Sequence, residues 1–255
     1  MLLHYKQYGQ GKYPVFILHG LFGMLDNWHL IANKLQEDFT IYTVDQRNHG
    51  LSFHSPEMDY TIMAKDLENL ATHLNIDSYS IIGHSMGGKT AMQATNISPA
   101  KIDKLVVVDI APKKYWGGHE KYFEALKSIT FENLSSRKEA NLNLLKYEKD
   151  EAVRMFLLKN LKRREEGGYK LKMNLPAIEN NYKHIMSSTV LINKFSKPTL
   201  FVKGAKSNYI QSEDFNEMRK RFPNYHLEEL QNAGHWVHAE NPDSFLHAVG
   251  SFLLS

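Results

Sequence analysis

The sequence has 255 residues, of which 42% are hydrophobic and 23% charged, with a formal net charge of +3 at pH 7. This length allows one catalytic domain with a sizeable apolar core. The absence of cysteine excludes disulfides, thiolate zinc sites and cysteine nucleophiles. No apolar run approaches the roughly 18 residues of a membrane span, and the first residues turn polar too early for an export signal. We therefore expect a soluble, cytoplasmic protein with no membrane partner.

Several short segments predict a sheet flanked by helices. Antiparallel edge strands are predicted from the alternating residues 3–8, and residues 59–74 repeat apolar side chains near the helical period after a capping Asp. Asn241-Pro242-Asp243 predicts the start of a final helix. Five apolar or β-branched runs predict buried parallel strands at residues 15–18, 40–44, 79–82, 105–108 and 199–202. Alternating strands and helices indicate a doubly wound α/β sheet.

The alternation stops within residues 112–196, which show helical patterns, such as residues 152–161, and no convincing strand. We predict that this segment, called the cap below, is a helical insertion into a core domain of residues 1–111 and 197–255. The cap holds 17 Lys and Arg against 10 Asp and Glu, net +7, which leaves 14 against 18, net −4, for the core. Such charge is typical of a solvated surface. The alternative is that it attracts an anionic substrate.

Residues 83–87 read Gly-His-Ser-Met-Gly, directly after a predicted strand and before a stretch compatible with a helix. In that setting the G-x-S-x-G pattern forms a sharp, strained turn that exposes its serine. The following helix N-terminus favours developing negative charge. Ser85 is therefore the candidate nucleophile.

A serine hydroxyl needs a base to take its proton and an acid to orient that base. His235 lies in a polar loop late in the chain, after the strand-like residues 225–230, and is the candidate base. Asp109 ends the strand at residues 105–108 and is the candidate acid. The strand at residues 199–202 is followed by Ser207 and Asn208, which cannot supply a carboxylate charge.

Acyl transfer also needs backbone N–H donors for the oxyanion. Such donors come from the residue after the nucleophile and from a loop after an earlier strand. Met86 and Leu21 occupy these places.

A competing motif overlaps the serine. Residues 83–90, GHSMGGKT, also satisfy the phosphate-binding pattern G-x-x-x-x-G-K-T, and a strand ending in Asp109 could hold magnesium. A P-loop would start its helix near Lys89, whereas the serine turn starts it at Ser85. Under the hydrolase interpretation, Lys89 faces solvent or a neighbouring loop.

Four motifs occur in the same order as in the YbfF-type esterases of the α/β-hydrolase superfamily, which the sequence resembles. They are HGLFG at residues 19–23, DQRNHGLS at 45–52, GHSMGGK at 83–89 and GHWVHA at 234–239. The resemblance spans most of the chain outside residues 113–196. It implies the α/β-hydrolase fold, with a mostly parallel sheet of about eight strands and a helical cap after the sixth. It also implies that Asp109 is the acid, since the Ser207-Asn208-Tyr209 stretch resembles a family pattern without a later acid.

Relatives of this kind hydrolyse short acyl esters and acyl-CoA thioesters without a cofactor or metal. The resemblance therefore implies a small acyl ester or thioester as substrate, with the basic cap as a candidate anchor for coenzyme A phosphates. No nucleic acid partner is expected, and the protein should be a monomer or small homo-oligomer. The candidate substrate-binding residues are Phe22, Lys113, Lys114, Trp116, Tyr209 and Trp236.

Fold alone does not choose among the chemistries that this scaffold supports. Lactonases, carbon-carbon bond hydrolases and cofactor-free haloperoxidases remain open alternatives. A hydrolase-like receptor for a small molecule is an alternative from another class, and a P-loop NTPase is the remote one.

Overall fold

A computed structural model describes residues 1–189 and 192–255 of the chain. A seven-stranded sheet forms its centre, in the spatial order β1-β3-β2-β4-β5-β8-β9. Within the described residues the strands are β1 (Tyr5–Tyr8), β2 (Tyr13–Leu18), β3 (Phe39–Val44), β4 (Tyr79–His84), β5 (Ile102–Val108), β6 (Leu161–Arg163), β7 (Tyr169–Leu171), β8 (Thr199–Gly204) and β9 (Tyr225–Leu230). Only β1 pairs antiparallel within this sheet, and every other pairing in it is parallel.

Helices cover both faces of the sheet, which explains why its central strands are continuous apolar runs. The helices of the described chain are α1 (His29–Leu35), α2 (Tyr60–His73), α3 (Met86–Ile97), α4 (Glu120–Lys127), α5 (Arg137–Leu144), α6 (Glu151–Leu158), α7 (Leu175–Asn180), α8 (Tyr182–Met186), α9 (Phe215–Arg221), α10 (Val237–Glu240) and α11 (Pro242–Leu254). Along β5, Leu105 and Val107 pack on the face covered by α2, α3 and α9. Val106 and Val108 pack on the opposite face, with α1 and α11.

The five predicted parallel strands are all present, and two predicted helix starts are confirmed. Asp59 precedes α2, and its side chain accepts a hydrogen bond from the Ile62 amide at 2.8 Å. Asn241 precedes Pro242 of α11 and accepts from the Ser244 amide at 3.4 Å. These caps satisfy amides that have no partner within the helix. Each helix of the described residues is too short or too polar to span a lipid bilayer.

The strand count differs from the prediction, because the sheet has seven strands and not about eight. The segment before β2 contributes one edge strand, Tyr5–Tyr8, where a pair was expected. Leu3 is instead buried in the core. The cap consequently follows the fifth strand, β5, and not the sixth.

The cap contains helices α4 to α8, but it also contains a β6–β7 hairpin that was not predicted. Each strand has only three residues, so its apolar pattern is too short to be recognised. The available signal was Gly167-Gly168, whose positive φ angles of 95° and 70° form the turn. Helix α6 ends at Leu158, before the predicted boundary at residue 161. Residues 190 and 191 of the predicted cap lie outside the described residues, and the division into two domains stays a prediction.

Candidate active site

Ser85 lies on a sharp turn between β4, which ends at His84, and α3, which begins at Met86. Its φ and ψ angles are 53° and −117°, a strained conformation for a residue with a side chain. The turn fits only because its neighbours are glycines: a Cβ on Gly87 would lie 2.4 Å from the Leu18 carbonyl oxygen. Ser85 therefore sits at the carboxyl edge of the sheet and at a helix N-terminus, as predicted for a nucleophile.

This backbone is incompatible with a phosphate-binding loop. A Cβ on Gly83 would lie 2.3 Å from the Gly87 carbonyl oxygen, so the turn closes on itself and leaves no cradle. Lys89 is one turn inside α3 and only 2% exposed. Its Nζ donates to the Ser187 carbonyl at 2.6 Å, in the loop after α8. Of the two surroundings expected for Lys89, solvent or a neighbouring loop, the structure shows the loop.

Asp109 and His235 form a direct pair, with 2.7 Å between Asp109 Oδ2 and His235 Nδ1. The carboxylate is completely buried at the end of β5. It accepts two further hydrogen bonds, from the Gly204 amide at 3.1 Å and from the Ser207 hydroxyl. Three donors stabilise its negative charge, so the Nδ1 proton of His235 is held on the side facing Asp109. His235 Nε2 is then the free, basic nitrogen.

The Ser85 hydroxyl and His235 line the same cavity. Among residues 1–189 and 192–255, neither the Ser85 hydroxyl nor His235 Nε2 makes a hydrogen bond. A bond between the nucleophile and its base is often long without substrate and shortens when substrate binds. The arrangement thus leaves both groups available to a reacting molecule.

Two further residues hold His235 in place, and neither was expected in this role, although Tyr209 was a candidate substrate contact. The Nε2–H of His84 donates to the His235 carbonyl at 2.8 Å. The ring of Tyr209 stacks on the ring of His235, with centroids 3.8 Å apart. Together with Asp109, these contacts fix both the backbone and the side chain of the candidate base.

Two backbone amides at the site are unused by the protein. Within the described chain, the N–H groups of Leu21 and Met86 have no hydrogen-bond partner, as an oxyanion site requires. The next amide, that of Phe22, donates instead to His49 Nε2 at 3.3 Å. Phe22 has a φ of 61°, and its carbonyl accepts from the buried amide of Asn160 at 2.7 Å. His49 and Asn160 therefore hold the loop in a shape that leaves the Leu21 amide free.

Burial keeps His19 and His49 neutral near pH 7. It lowers the pKa of His19 to about 4 and that of His49 to about 3, because the charged ring would lose its hydration. His49 Nδ1 donates to the Arg47 carbonyl at 3.0 Å, which leaves Nε2 to accept from Phe22. A neutral ring can accept a hydrogen bond, as His49 does from the amide of Phe22.

A cavity of about 600 Å³ opens above Ser85, between the core and the cap. Its size is in the range of small-molecule sites, and its walls are mostly apolar. Phe22 forms part of the wall, and its ring packs edge to face against that of Phe123, with centroids 5.1 Å apart. Trp236 lies beside Phe156 of α6, with centroids 5.4 Å apart.

The structure brings together Phe22, Tyr209 and Trp236 at this cavity, but it does not bring the other predicted substrate contacts there. Lys113 Nζ is paired with Asp214 Oδ2 at 2.6 Å. Lys114 Nζ lies 3.8 Å from the ring centroid of Trp116, which is 83% exposed. Lys113, Lys114 and Trp116 therefore lie outside the residues that line the cavity. Their contact with substrate stays a prediction.

Ser207 and His119 are site residues that the sequence interpretation missed. The sequence interpretation used Ser207 only to argue that no acid follows β8, whereas in the structure its hydroxyl donates to Asp109. His119 lies in the cap and lines the cavity together with Ser85 and His235. Its position depends on how the cap folds over the core, for which the sequence held no local signal.

Comparison with known proteins finds relatives that match most of the chain. Esterase YbfF of Escherichia coli is 37% identical over 241 residues, which cover 94% of this chain and 92% of that protein. The sn-1-specific diacylglycerol lipase ABHD11 of Danio rerio is 37% identical over 248 residues, which cover 94% of this chain and 78% of that protein. A solved structure of a marine microorganism esterase matches with a TM-score of 0.96 and 43% identity, covering 98% of this chain and 99% of that one.

A family model described as the α/β-hydrolase fold matches residues 13–242. The topology of the sheet, the turn at Ser85 and the relatives all agree with that match. The chain therefore belongs to the α/β-hydrolase fold family and is an enzyme of the esterase and lipase kind.

Proposed function

We propose that the chain hydrolyses short-chain acyl esters or acyl-CoA thioesters through a catalytic triad of Ser85, His235 and Asp109. The observation that carries the proposal is the buried Asp109–His235 pair at 2.7 Å, in the same cavity as a serine on a strained turn. This is the combination that nucleophilic acyl transfer needs: an exposed nucleophile, a base with a free nitrogen and an acid that fixes the base.

The reaction begins when Ser85 Oγ attacks the acyl carbonyl and its proton moves to His235 Nε2. The amides of Leu21 and Met86 bind the negative oxygen of the tetrahedral intermediate. As the bond to the leaving group breaks, His235 gives its proton to the departing oxygen or sulfur. Water then attacks the acyl-serine, with His235 as base, and releases the acid. Asp109 remains ionised throughout and stabilises the charged ring of His235.

The cavity supports a small acyl group. Its apolar walls include Val153 and Leu157 of α6 and Phe22 of the loop after β2. These side chains can cover a short hydrocarbon chain but offer few polar partners. The proposal therefore favours simple acyl groups over acyl groups with several polar substituents.

A coenzyme A thioester would need cations near the mouth of the cavity. Lys159 follows α6, is exposed and is among the residues that line the cavity. Lys113, by contrast, already has a carboxylate partner. We therefore assign the candidate phosphate contact to Lys159, within the basic cap.

Hydrolysis of p-nitrophenyl acetate and butyrate tests the triad in the wild type, Ser85→Ala and His235→Gln. Turnover should fall at least about 10³-fold in each variant, because both residues take part in bond making. Retained turnover in Ser85→Ala would reject the proposed nucleophile. A folded wild type that binds a small ester without turning it over would favour the receptor alternative.

The coenzyme A contact is tested separately by comparing butyryl-CoA with S-ethyl thiobutyrate at low and high salt. Lys159→Glu should raise KM for butyryl-CoA several-fold at low salt and leave the simple thioester unchanged. Lys65→Glu carries the same charge change on α2, away from the cavity, and serves as the matched control. Equal effects of the two variants would remove Lys159 as the anchor.

A further inference from the structure

His119 is a polar cap residue at the reaction site to which the proposed mechanism assigns no role. It precedes α4 and lines the main cavity together with Ser85 and His235. It also lines a small adjoining pocket with Ser85 and Met86. The cap thus places one imidazole against the groups that would carry out acyl transfer.

The hydrogen bonds of Tyr182 are compatible with a His119 ring that carries its proton on Nε2. The Tyr182 hydroxyl oxygen accepts from the His119 backbone amide at 3.2 Å. The same hydroxyl lies 2.9 Å from His119 Nδ1, the one acceptor for its proton among the described residues. The Tyr182 oxygen can accept from the backbone amide while its one proton is donated to Nδ1, and in that arrangement the neutral ring carries its hydrogen on Nε2. We assign this tautomer to His119.

The surroundings of His119 keep the ring in this neutral form. Burial lowers the pKa of His119 to about 4, and electrostatic repulsion from His235 is a second, smaller cause. Across the physiological range the residue therefore presents an N–H donor without a positive charge. No described protein atom accepts a hydrogen bond from Nε2.

We propose that His119 binds substrate, with its Nε2–H donating a hydrogen bond to the leaving-group oxygen of an acyl ester. The inference rests on the proposed function, since it concerns the same reaction. The carbonyl oxygen of the substrate already has two donors, the amides of Leu21 and Met86. The bridging oxygen is the other acceptor common to every ester, and its negative charge grows as the carbon-oxygen bond breaks.

His119 would act there beside His235. His235 transfers its proton to the leaving oxygen, whereas the neutral His119 keeps its own proton and stabilises the partial charge through a hydrogen bond. A donor that is stronger in the transition state than in the ground state raises kcat. A thioester offers sulfur at this position, which is a weak acceptor. The role of His119 is therefore specific to oxygen esters.

The test compares ethyl butyrate with S-ethyl thiobutyrate, which differ in that one atom. His119→Phe should lower kcat/KM for the oxygen ester about 10-fold or more and for the thioester less than about 3-fold. In His119→Gln the amide nitrogen takes the place of Nε2, and this variant should recover most of the ester activity. Tyr182→Phe leaves Nε2 in place but removes the hydroxyl beside Nδ1, so the ring can carry its proton on either nitrogen. We expect an intermediate loss of kcat/KM, confined to the oxygen ester.

Equal losses on both substrates, or a His119→Gln variant as slow as His119→Phe, would assign His119 to packing and overturn the inference. Unchanged ester kinetics in His119→Phe would overturn it as well. A wild type without Ser85-dependent hydrolysis of either substrate would instead reject the proposed function, and the inference with it. Unfolding midpoints in urea, measured for every variant, keep loss of fold apart from loss of contact.

Discussion

The rings of Tyr209 and His235 lie flat against each other, with centroids 3.8 Å apart and planes inclined by 16°. One edge of the imidazole is held by Asp109, and one face is covered by Tyr209. Rotation of the His235 side chain would therefore break a charge-assisted hydrogen bond and an aromatic contact together. His235 Nε2 is therefore held in one orientation within the cavity that Ser85 also lines.

Replacing Tyr209 with Ala should lower kcat for short esters about 10-fold while KM changes little. The ring of His235 would sample other rotamers, which reduces the fraction of productive complexes. Tyr209→Phe keeps the stacked ring and loses only the hydroxyl, so it should retain most of the wild-type rate. Steady-state kinetics of both variants check this, and equal losses in the two would contradict a role of the stack.

Asp109→Asn should lower kcat by about 10³- to 10⁴-fold, because an amide can donate to Nδ1 and stabilise the wrong tautomer of His235. Ser207→Ala removes one of three hydrogen-bond donors to the Asp109 carboxylate and should lower kcat about 10-fold. We therefore predict a larger loss of kcat in Asp109→Asn than in Ser207→Ala. A larger loss in Ser207→Ala than in Asp109→Asn would show that Asp109 is not the acid that orients His235.

Buried neutral histidines should make the protein acid-sensitive. Burial lowers the pKa of His19 to about 4 and of His49 and His238 to about 3, whereas each is near 6.5 when unfolded. Below pH 6.5 the unfolded chain binds protons that the native state does not, so stability falls as the pH drops toward 4. Each histidine contributes about 1.4 kcal/mol per pH unit in that window.

The free energy of unfolding in urea at pH 7.5, 6.0 and 5.0 measures this slope. His238 stacks on Trp28, and its buried Nδ1 has no hydrogen-bond partner among the described residues. His238→Phe keeps an aromatic ring there but has no proton to bind, so its stability should fall less steeply with acid. If the free energy of unfolding falls equally steeply with acid in the variant and the wild type, the pKa of His238 does not differ between the folded and unfolded states.

Lys89 should give stability a second pH dependence, in the alkaline range. Burial lowers its pKa to about 7 from 10.5, so between these values the unfolded chain is protonated where the native state is not. Stability therefore rises with pH from about 7 upward. Lys89→Met should abolish this rise between pH 7.5 and 9 in urea unfolding, and the exposed Lys65→Met should keep it. A rise that survives in Lys89→Met would assign it to other groups.

Much of the fold followed from local patterns. The strands at residues 105–108 and 199–202 are buried on both faces, so their apolar runs are long enough to recognise. Ser85 and its glycines form a local motif, because the turn imposes its own steric requirements. The beginning of α2 at Asp59 was visible for a similar reason, since capping is a short-range interaction.

The parts that were missed depend on contacts between distant segments. The sequence left solvent and a neighbouring loop both open for Lys89, and only the fold of the cap shows that the loop at Ser187 covers it. Ser207 and Asp109 follow the ends of two neighbouring strands, β8 and β5, and meet there. His119 reaches the cavity from the cap. The hairpin at Gly167-Gly168 had strands too short for any periodicity to appear.

The most direct test of the central claim is the intact mass of the protein after reaction with a fluorophosphonate probe, followed by peptide mapping. Ser85 on its strained turn, with His235 as base, should give one covalent adduct on Ser85 in the wild type. Ser85→Ala should give none, although it remains folded. A folded wild type without an adduct, or equal labelling of Ser85→Ala, would contradict the assignment of Ser85 as an activated nucleophile.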